Sequence, residues 1–290
     1  MQTQKAAVIG HPIRHTMSPF IHERLFSIAG IPMQYAVLDI DSLPEKINQL
    51  KTFDVFNVTI PYKEAIIPFL DELDDKAALF GSVNTVQIID GKMKGYITDG
   101  AGCLGAIESA GINIAGRNLI LGNGGTARAI AFETAYTNVN FDIVLAHRKS
   151  SEEKAQKIAQ EIEAFAARRG TGKGKITCLP YEKLESAGHF DVVINATNVG
   201  MYPHLDNSPL TEAVLQNCTA VFDAVFNPEK TFLLKQAEAK GIPTVRGIDM
   251  LVRQAVAAHT WWYGTAFEDE QIRKLCEEAA KEMNRIFYNK

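Results

Sequence analysis

Residues 119–127 read LILGNGGTA: an apolar triplet, a Gly-x-Gly-x-x-Ala turn, and then a helix-compatible run from Arg128 to Tyr136. In a strand–turn–helix unit, the first glycine permits a tight turn and the second lets backbone approach a pyrophosphate. Ala127 allows helix and strand to pack closely, and the helix N-terminus favours an anion. Gly122, Asn123, Gly124, Gly125 and Thr126 are therefore candidate cofactor-binding residues. The next strand, 141–146, runs into His147-Arg148-Lys149-Ser150, with no carboxylate to accept a ribose 2′-hydroxyl as an NAD site usually provides. Arg148 offers a guanidinium fork and Lys149 a point charge, both suited to a 2′-phosphate. NADP is favoured over NAD, with NAD kept as the alternative because Glu152 and Glu153 stand close by in sequence.

Outward from this turn, strand-like and helix-like segments alternate almost throughout, which argues for an α/β protein of parallel βαβ units. Further strands are expected at 6–9, 35–38, 55–60, 175–179, 191–195, 220–222 and 244–245. Asp90-Gly91 between β-prone flanks predicts a hairpin over 85–97. Helices are expected at 19–29, 43–50, 63–70 and 74–80. Another, between the strands at 141–146 and 175–179, places Ala155, Ile158, Ala159 and Ile162 on one face. After Arg246 the chain is helical to its end, and these helices are expected to return to cover the first block.

The chain has 290 residues, of which 46% are hydrophobic, enough for two domains with substantial cores. A net charge of −4 gives no reason to expect a nucleic-acid partner. No run is long and apolar enough for a membrane span or a signal peptide. The four cysteines are scattered without ligand spacing, so no disulfide framework or metal is expected, and a cytoplasmic location fits. His11 and His15 alone do not make a metal site and are read as loop residues.

The first block holds two features that bear on chemistry. Ser18-Pro19 reads as a helix start with Ser18 at the N-cap; with Thr16 it also places two hydroxyls where a substrate carboxylate would be favoured. Lys63 follows the strand-like 55–60 and its stop at Pro61, either as a solvated loop charge or as a group placed for chemistry. Asp99, in ITDG at 97–100, has a helix cap as its plain reading. Reduction of a carbonyl needs a hydride and a positioned proton donor. A carboxylate beside a lysine can orient it and balance its charge, which makes Lys63 and Asp99 worth considering together.

Taken in order, VIGHPIRHTMSP, NVTIPYK, GSVNT, ITDG, LGNGGTARA, NATNVGM and MLVRQA resemble the shikimate dehydrogenases, including the shikimate/quinate group, over nearly the whole chain. The resemblance implies an N-terminal α/β substrate domain (1–98 plus 247–290) and a Rossmann-type NAD(P)-binding domain (99–246). It implies reversible reduction of 3-dehydroshikimate to shikimate in aromatic amino acid biosynthesis, and allows quinate oxidation as well. By the same resemblance Lys63 and Asp99 are the catalytic pair, and Thr16, Ser18, Thr59, Asn84 and Gln254 bind substrate. Thr197 and Gly247 are the further cofactor contacts it implies. Departures from the family pattern occur at Thr16, Ile97 and Phe226, which bear on substrate, and at His147, Lys149 and Glu152, which bear on cofactor. A paralogue acting on a related cyclic hydroxy acid such as an aminoshikimate, and a non-catalytic dinucleotide sensor, are the alternatives. The expected partners are a small-molecule substrate and no macromolecule beyond a second copy, as a monomer or homodimer.

Overall fold

The computed structural model describes residues 3–13, 16–170 and 173–288; His15 lies outside them. The chain divides into two compact units, Met1–Thr98 with Gln254–Glu282, and Asp99–Arg253 with Met283–Lys290.

The first unit opens with β1 (Gln4–Gly10), α1 (Ser18–Ala29), β2 (Met33–Asp39), α2 (Leu43–Leu50), β3 (Val55–Val58) and α3 (Tyr62–Ala65). It continues through β4 (Glu72–Leu73), α4 (Asp75–Phe80), β5 (Thr85–Ile89) and β6 (Lys92–Tyr96). Its sheet has the order β2-β1-β3-β5-β6-β4. The β2, β1 and β3 strands run parallel, as do β4 and β6, while β5 is antiparallel to both β3 and β6. The hairpin joining β5 to β6 turns at Asp90 (φ 50°) and Gly91 (φ 78°). Two successive positive φ angles match the twist of the flanking strands, which is why Asp-Gly was a reliable signal.

Two local expectations change. The helix expected over 63–70 is interrupted: α3 ends at Ala65, and Ile67–Phe69 form a separate 3₁₀ turn with Pro68 near its start, where a missing N–H is tolerated. Ser18 is the first residue of α1 rather than its cap; Met17 occupies the cap position, and the Ser18 N–H donates to Thr16 Oγ1 at 3.2 Å.

The second unit contains α5 (Asp99–Ser109), β7 (Arg117–Leu121), α6 (Gly125–Thr137), β8 (Asp142–His147), α7 (Glu152–Arg169), β9 (Lys175–Pro180) and β10 (Phe190–Asn195). Then come α8 (Glu212–Gln216), β11 (Cys218–Asp223), α9 (Phe232–Ala239) and β12 (Thr244–Val245). Its six-stranded sheet is parallel throughout, in the order β9-β8-β7-β10-β11-β12. Numbered within the unit, this is the doubly wound order that reverses between its first and fourth strands, β7 and β10. The central strands are buried on both faces, as parallel strands covered by helices must be: Leu119, Leu121, Val144, Phe190 and Val193 share one core with Leu233 and Leu234 of α9.

Two helices, α10 (Gly247–Tyr263) and α11 (Asp269–Phe287), close the chain. Ala258 and Trp262 of α10 pack with Ala6, Phe26 and Val55, so α10 returns to the first sheet, while α11 is grouped with the first unit up to Glu282 and with the second from Met283. Among the described residues, no helix is long and apolar enough to cross a membrane.

Candidate active site and cofactor cradle

The glycine turn lies at the carboxyl end of β7, where the strand order reverses. Gly122 has φ +98°, a conformation other residues rarely adopt, and its N–H donates to Ala146 O at 3.1 Å. A methyl on Gly122 would stand 2.9 Å from Thr197 Cγ2. Gly124 and Gly125 differ: a Cβ on either would meet nothing within 4 Å. Open space therefore faces the start of a 13-residue helix whose first N–H groups have no intrahelical acceptor. Asn123 Nδ2 donates to Ser151 O at 2.7 Å, tying the turn to the segment that enters α7. At the end of β8 His147 is buried, while Arg148 and Lys149 just past it are exposed. Glu152, also exposed, lies in the first turn of α7, where the helix dipole accounts for it. An open cradle followed by two cations and no carboxylate is a donor set that fits a dinucleotide carrying a 2′-phosphate.

Across the switch point, β10 ends at Asn195. The Asn195 Oδ1 accepts from Thr197 N at 3.0 Å and from Thr197 Oγ1 at 2.7 Å, and Thr197 Oγ1 accepts from Val199 N at 3.2 Å. The Thr197 hydroxyl is thus engaged inside its own turn, and its methyl is the group next to Gly122. Behind Asn195 stands Asp223, fully buried at the end of β11. Burial pushes its carboxyl up to about 6, although Thr231, the Val225 N–H and Asn195 all hydrogen-bond to it. Gly247 is a glycine for packing: a Cβ there would fall 2.6 Å from Ala224 O and from Val225 backbone.

In the first unit, the structure brings Asn84 and Gln254 together. Asn84 Nδ2 donates to Gln254 Oε1 at 3.1 Å and to Thr98 Oγ1 at 2.9 Å, while Asn84 Oδ1 accepts from Thr98 N at 2.9 Å. Thr98, fully buried, fixes which way the Asn84 amide points. Sequence reasoning gave it no role, although it lies inside ITDG; its partners are 14 and 156 residues away. Thr16 Oγ1 donates to Ser18 Oγ at 3.1 Å, so this hydroxyl pair is also assembled. Tyr35 accompanies it: its hydroxyl is hydrogen-bonded with Ser18 and donates to Asn57 Oδ1 at 2.7 Å.

Lys63 sits half-buried on α3 between two anchors. Tyr62, buried, donates its hydroxyl to the Ile40 carbonyl, and Ile66 is fully buried. The Lys63 carbonyl accepts from Val83 N at 2.8 Å, which ties this turn to the chain entering β5. Thr59 stands just past β3, its N–H bonded to Ile9 O at 2.9 Å. Asp99 belongs to the second unit as the first residue of α5, and is 6% exposed. The next residue, Gly100, has Glu133 Cβ of α6 2.4 Å from where a methyl would stand, so the α5 N-terminus is held close against α6.

A doubly wound parallel sheet with a glycine cradle at its switch point, joined to a second α/β unit, defines a Rossmann-type dinucleotide-binding protein of two units. Residues 8–86 match the family model of the shikimate dehydrogenase substrate-binding domain. A shikimate dehydrogenase (NADP(+)) of Methanocaldococcus jannaschii is 37% identical over 269 residues, covering 91% of this chain and 92% of the relative. The chain belongs to the shikimate dehydrogenase family. Solved structures agree: the Thermus thermophilus shikimate 5-dehydrogenase in complex with NADP(H) and shikimate superposes with a TM-score of 0.81 at 29% identity, covering 96% of this chain and all of that one. The Listeria monocytogenes enzyme in complex with shikimate and NAD gives a TM-score of 0.83 at 29% identity, covering 94% and 96%.

Proposed function

We propose that this chain catalyses the reversible NADP-dependent reduction of 3-dehydroshikimate to shikimate. The observation that carries the reading is the open glycine cradle at the end of β7, followed after β8 by Arg148 and Lys149 with no carboxylate among residues 146–151. Arg148 and Lys149 hold the 2′-phosphate, and Gly122, Asn123, Gly124, Gly125 and Thr126 line the pyrophosphate. Thr197 contributes its methyl and backbone rather than its hydroxyl, and Gly247 its lack of a side chain. The dinucleotide, when bound, supplies or accepts the hydride.

The remaining work falls to the chain's own groups. Lys63 carries the proton at the reacting oxygen, and Asp99 orients the ammonium and balances its charge. Thr59, Asn84 and Gln254 hold the ring hydroxyls, the latter two already set by Thr98. Thr16 and Ser18 hold the substrate carboxylate beside the N-terminus of α1. Lys63→Ala is expected to lower kcat by on the order of 10²-fold or more, the scale of one acid–base group, while NADP still binds. Full turnover in that variant would remove Lys63 from the chemistry.

A further inference from the structure

Thr231, Asp223, Asn195 and Thr197 form a continuous chain of hydrogen bonds that ends at the wall of the glycine cradle. Thr231 Oγ1 donates to Asp223 Oδ2 at 2.7 Å, and Asn195 Nδ2 donates to Asp223 Oδ1 at 2.8 Å. An asparagine amide can face either way; the acceptor-only carboxylate, with the Val199 carbonyl at 3.4 Å, and the donor-only Thr197 N–H together turn its NH₂ toward Asp223 and its carbonyl oxygen toward Thr197. That oxygen then takes both the N–H and the hydroxyl of Thr197, closing the turn at 195–199. With the hydroxyl drawn inward, the Thr197 methyl is left facing Gly122. Every link is buried or half-buried, and Thr231, Asn195 and the Val225 N–H, which donate to Asp223, are all uncharged. A carboxylate placed there without a cationic partner among the described residues is expensive to bury, which calls for a reason beyond packing.

We propose that Asp223 is a positioning residue for cofactor binding: through the Asn195 amide it fixes the 195–199 turn and thereby the wall that Thr197 presents to the dinucleotide. The inference rests on the cradle being the cofactor site. Asp223→Asn keeps the shape but exchanges a charged acceptor for a neutral one: the Val225 N–H still calls for an oxygen on the Asn195 side, and the bond that draws in the Asn195 amide weakens. Thr231→Val removes a partner from the other carboxylate oxygen, the one turned away from Asn195, and serves as the structural control.

The test is NADP titration of the full-length protein by fluorescence, with thermal melting and steady-state kinetics alongside. Asp223→Asn is expected to raise the NADP dissociation constant about tenfold, the effect of one hydrogen bond, with the shikimate KM changed less than about twofold. Thr231→Val is expected to lower the melting temperature yet leave NADP affinity within about twofold of wild type. Asp223→Asn with unchanged affinity, or Thr231→Val losing affinity equally, would overturn the proposal. Should Asp223→Asn not fold, Thr197→Val cuts the last link on a half-buried turn, and wild-type NADP affinity in that variant overturns it instead. Wild-type protein that binds neither NADP nor NAD refutes the cradle assignment itself, a distinct result.

Discussion

Gly124→Ala separates a glycine kept for a ligand from one kept for the fold. Gly124 has φ −79° and ψ −175°, extended backbone that alanine adopts freely, and its added methyl would meet nothing within 4 Å. Alanine is a poorer N-cap than glycine by roughly a few tenths to 1 kcal/mol, and it restricts the unfolded chain by about 0.4–1 kcal/mol in the opposite sense. The two nearly cancel, so the melting temperature should move by no more than about 2 °C. The methyl nevertheless occupies the open approach to the first N–H groups of α6. Losing one hydrogen bond to a charged phosphate costs about 1.5–3 kcal/mol, which weakens NADP binding roughly 10- to 150-fold. Gly122→Ala is the contrast. At φ +98° the backbone strain is about 1–3 kcal/mol, and the 2.9 Å approach to Thr197 Cγ2 adds to it, so stability and affinity should fall together. Thermal melting and an NADP titration of both variants decide the matter. Wild-type NADP affinity in Gly124→Ala would show that no dinucleotide packs against this turn.

Two further outcomes follow from the same geometry. Arg148→Ala should weaken NADP binding by about tenfold or more while leaving NAD affinity nearly unchanged, because only NADP carries the 2′-phosphate; equal losses for both nucleotides would contradict that placement. The buried pair His22 and His259, with Nδ1 and Nε2 3.2 Å apart, should make the protein acid-sensitive. Burial lowers His259 from 6.5 to about 3, and lowers His22 in the same direction. The native state therefore holds fewer protons than the unfolded chain below pH 6.5: the stability is complete above that pH and is lost as pH falls toward 3. From about pH 6.5 to about 5.0 His259 alone should remove about 2 kcal/mol. Asp223 acts oppositely: with its carboxyl raised from 3.8 to about 6, protonation favours the native state as pH falls through that window. His259→Gln should flatten the acid limb of a melting-temperature-versus-pH curve, and an unaltered slope would contradict the assignment.

The parallel sheet of the second unit was readable because its signals are local. Each strand is a short apolar run, and Gly122 sits where its positive φ requires a glycine. The same locality explains the misreadings. The helix expected over 63–70 runs across Pro68, and Ser18 beside Pro19 reads as a cap although Thr16 receives the bond. The two-residue strand β4 is too short for any alternation to reveal. The polar networks were invisible for another reason. Thr98 holds Asn84 and Gln254, and Asp223 holds Asn195, through partners 14 to 156 residues away in sequence. Such residues look like ordinary turn or strand-end positions until the fold assembles them. Gln254 shows this plainly: on its helix it reads as an exposed side chain, yet its Oε1 accepts from Asn84. The substrate and catalytic assignments came from the ordered motifs rather than from local chemistry.

The most direct test mixes the purified protein with shikimate and NADP and follows the near-ultraviolet absorbance of the reduced nicotinamide. The predicted result is shikimate-dependent formation of NADPH that reverses when 3-dehydroshikimate is added. Absence of any reduced nucleotide with shikimate, whether NADP or NAD is supplied, would contradict it.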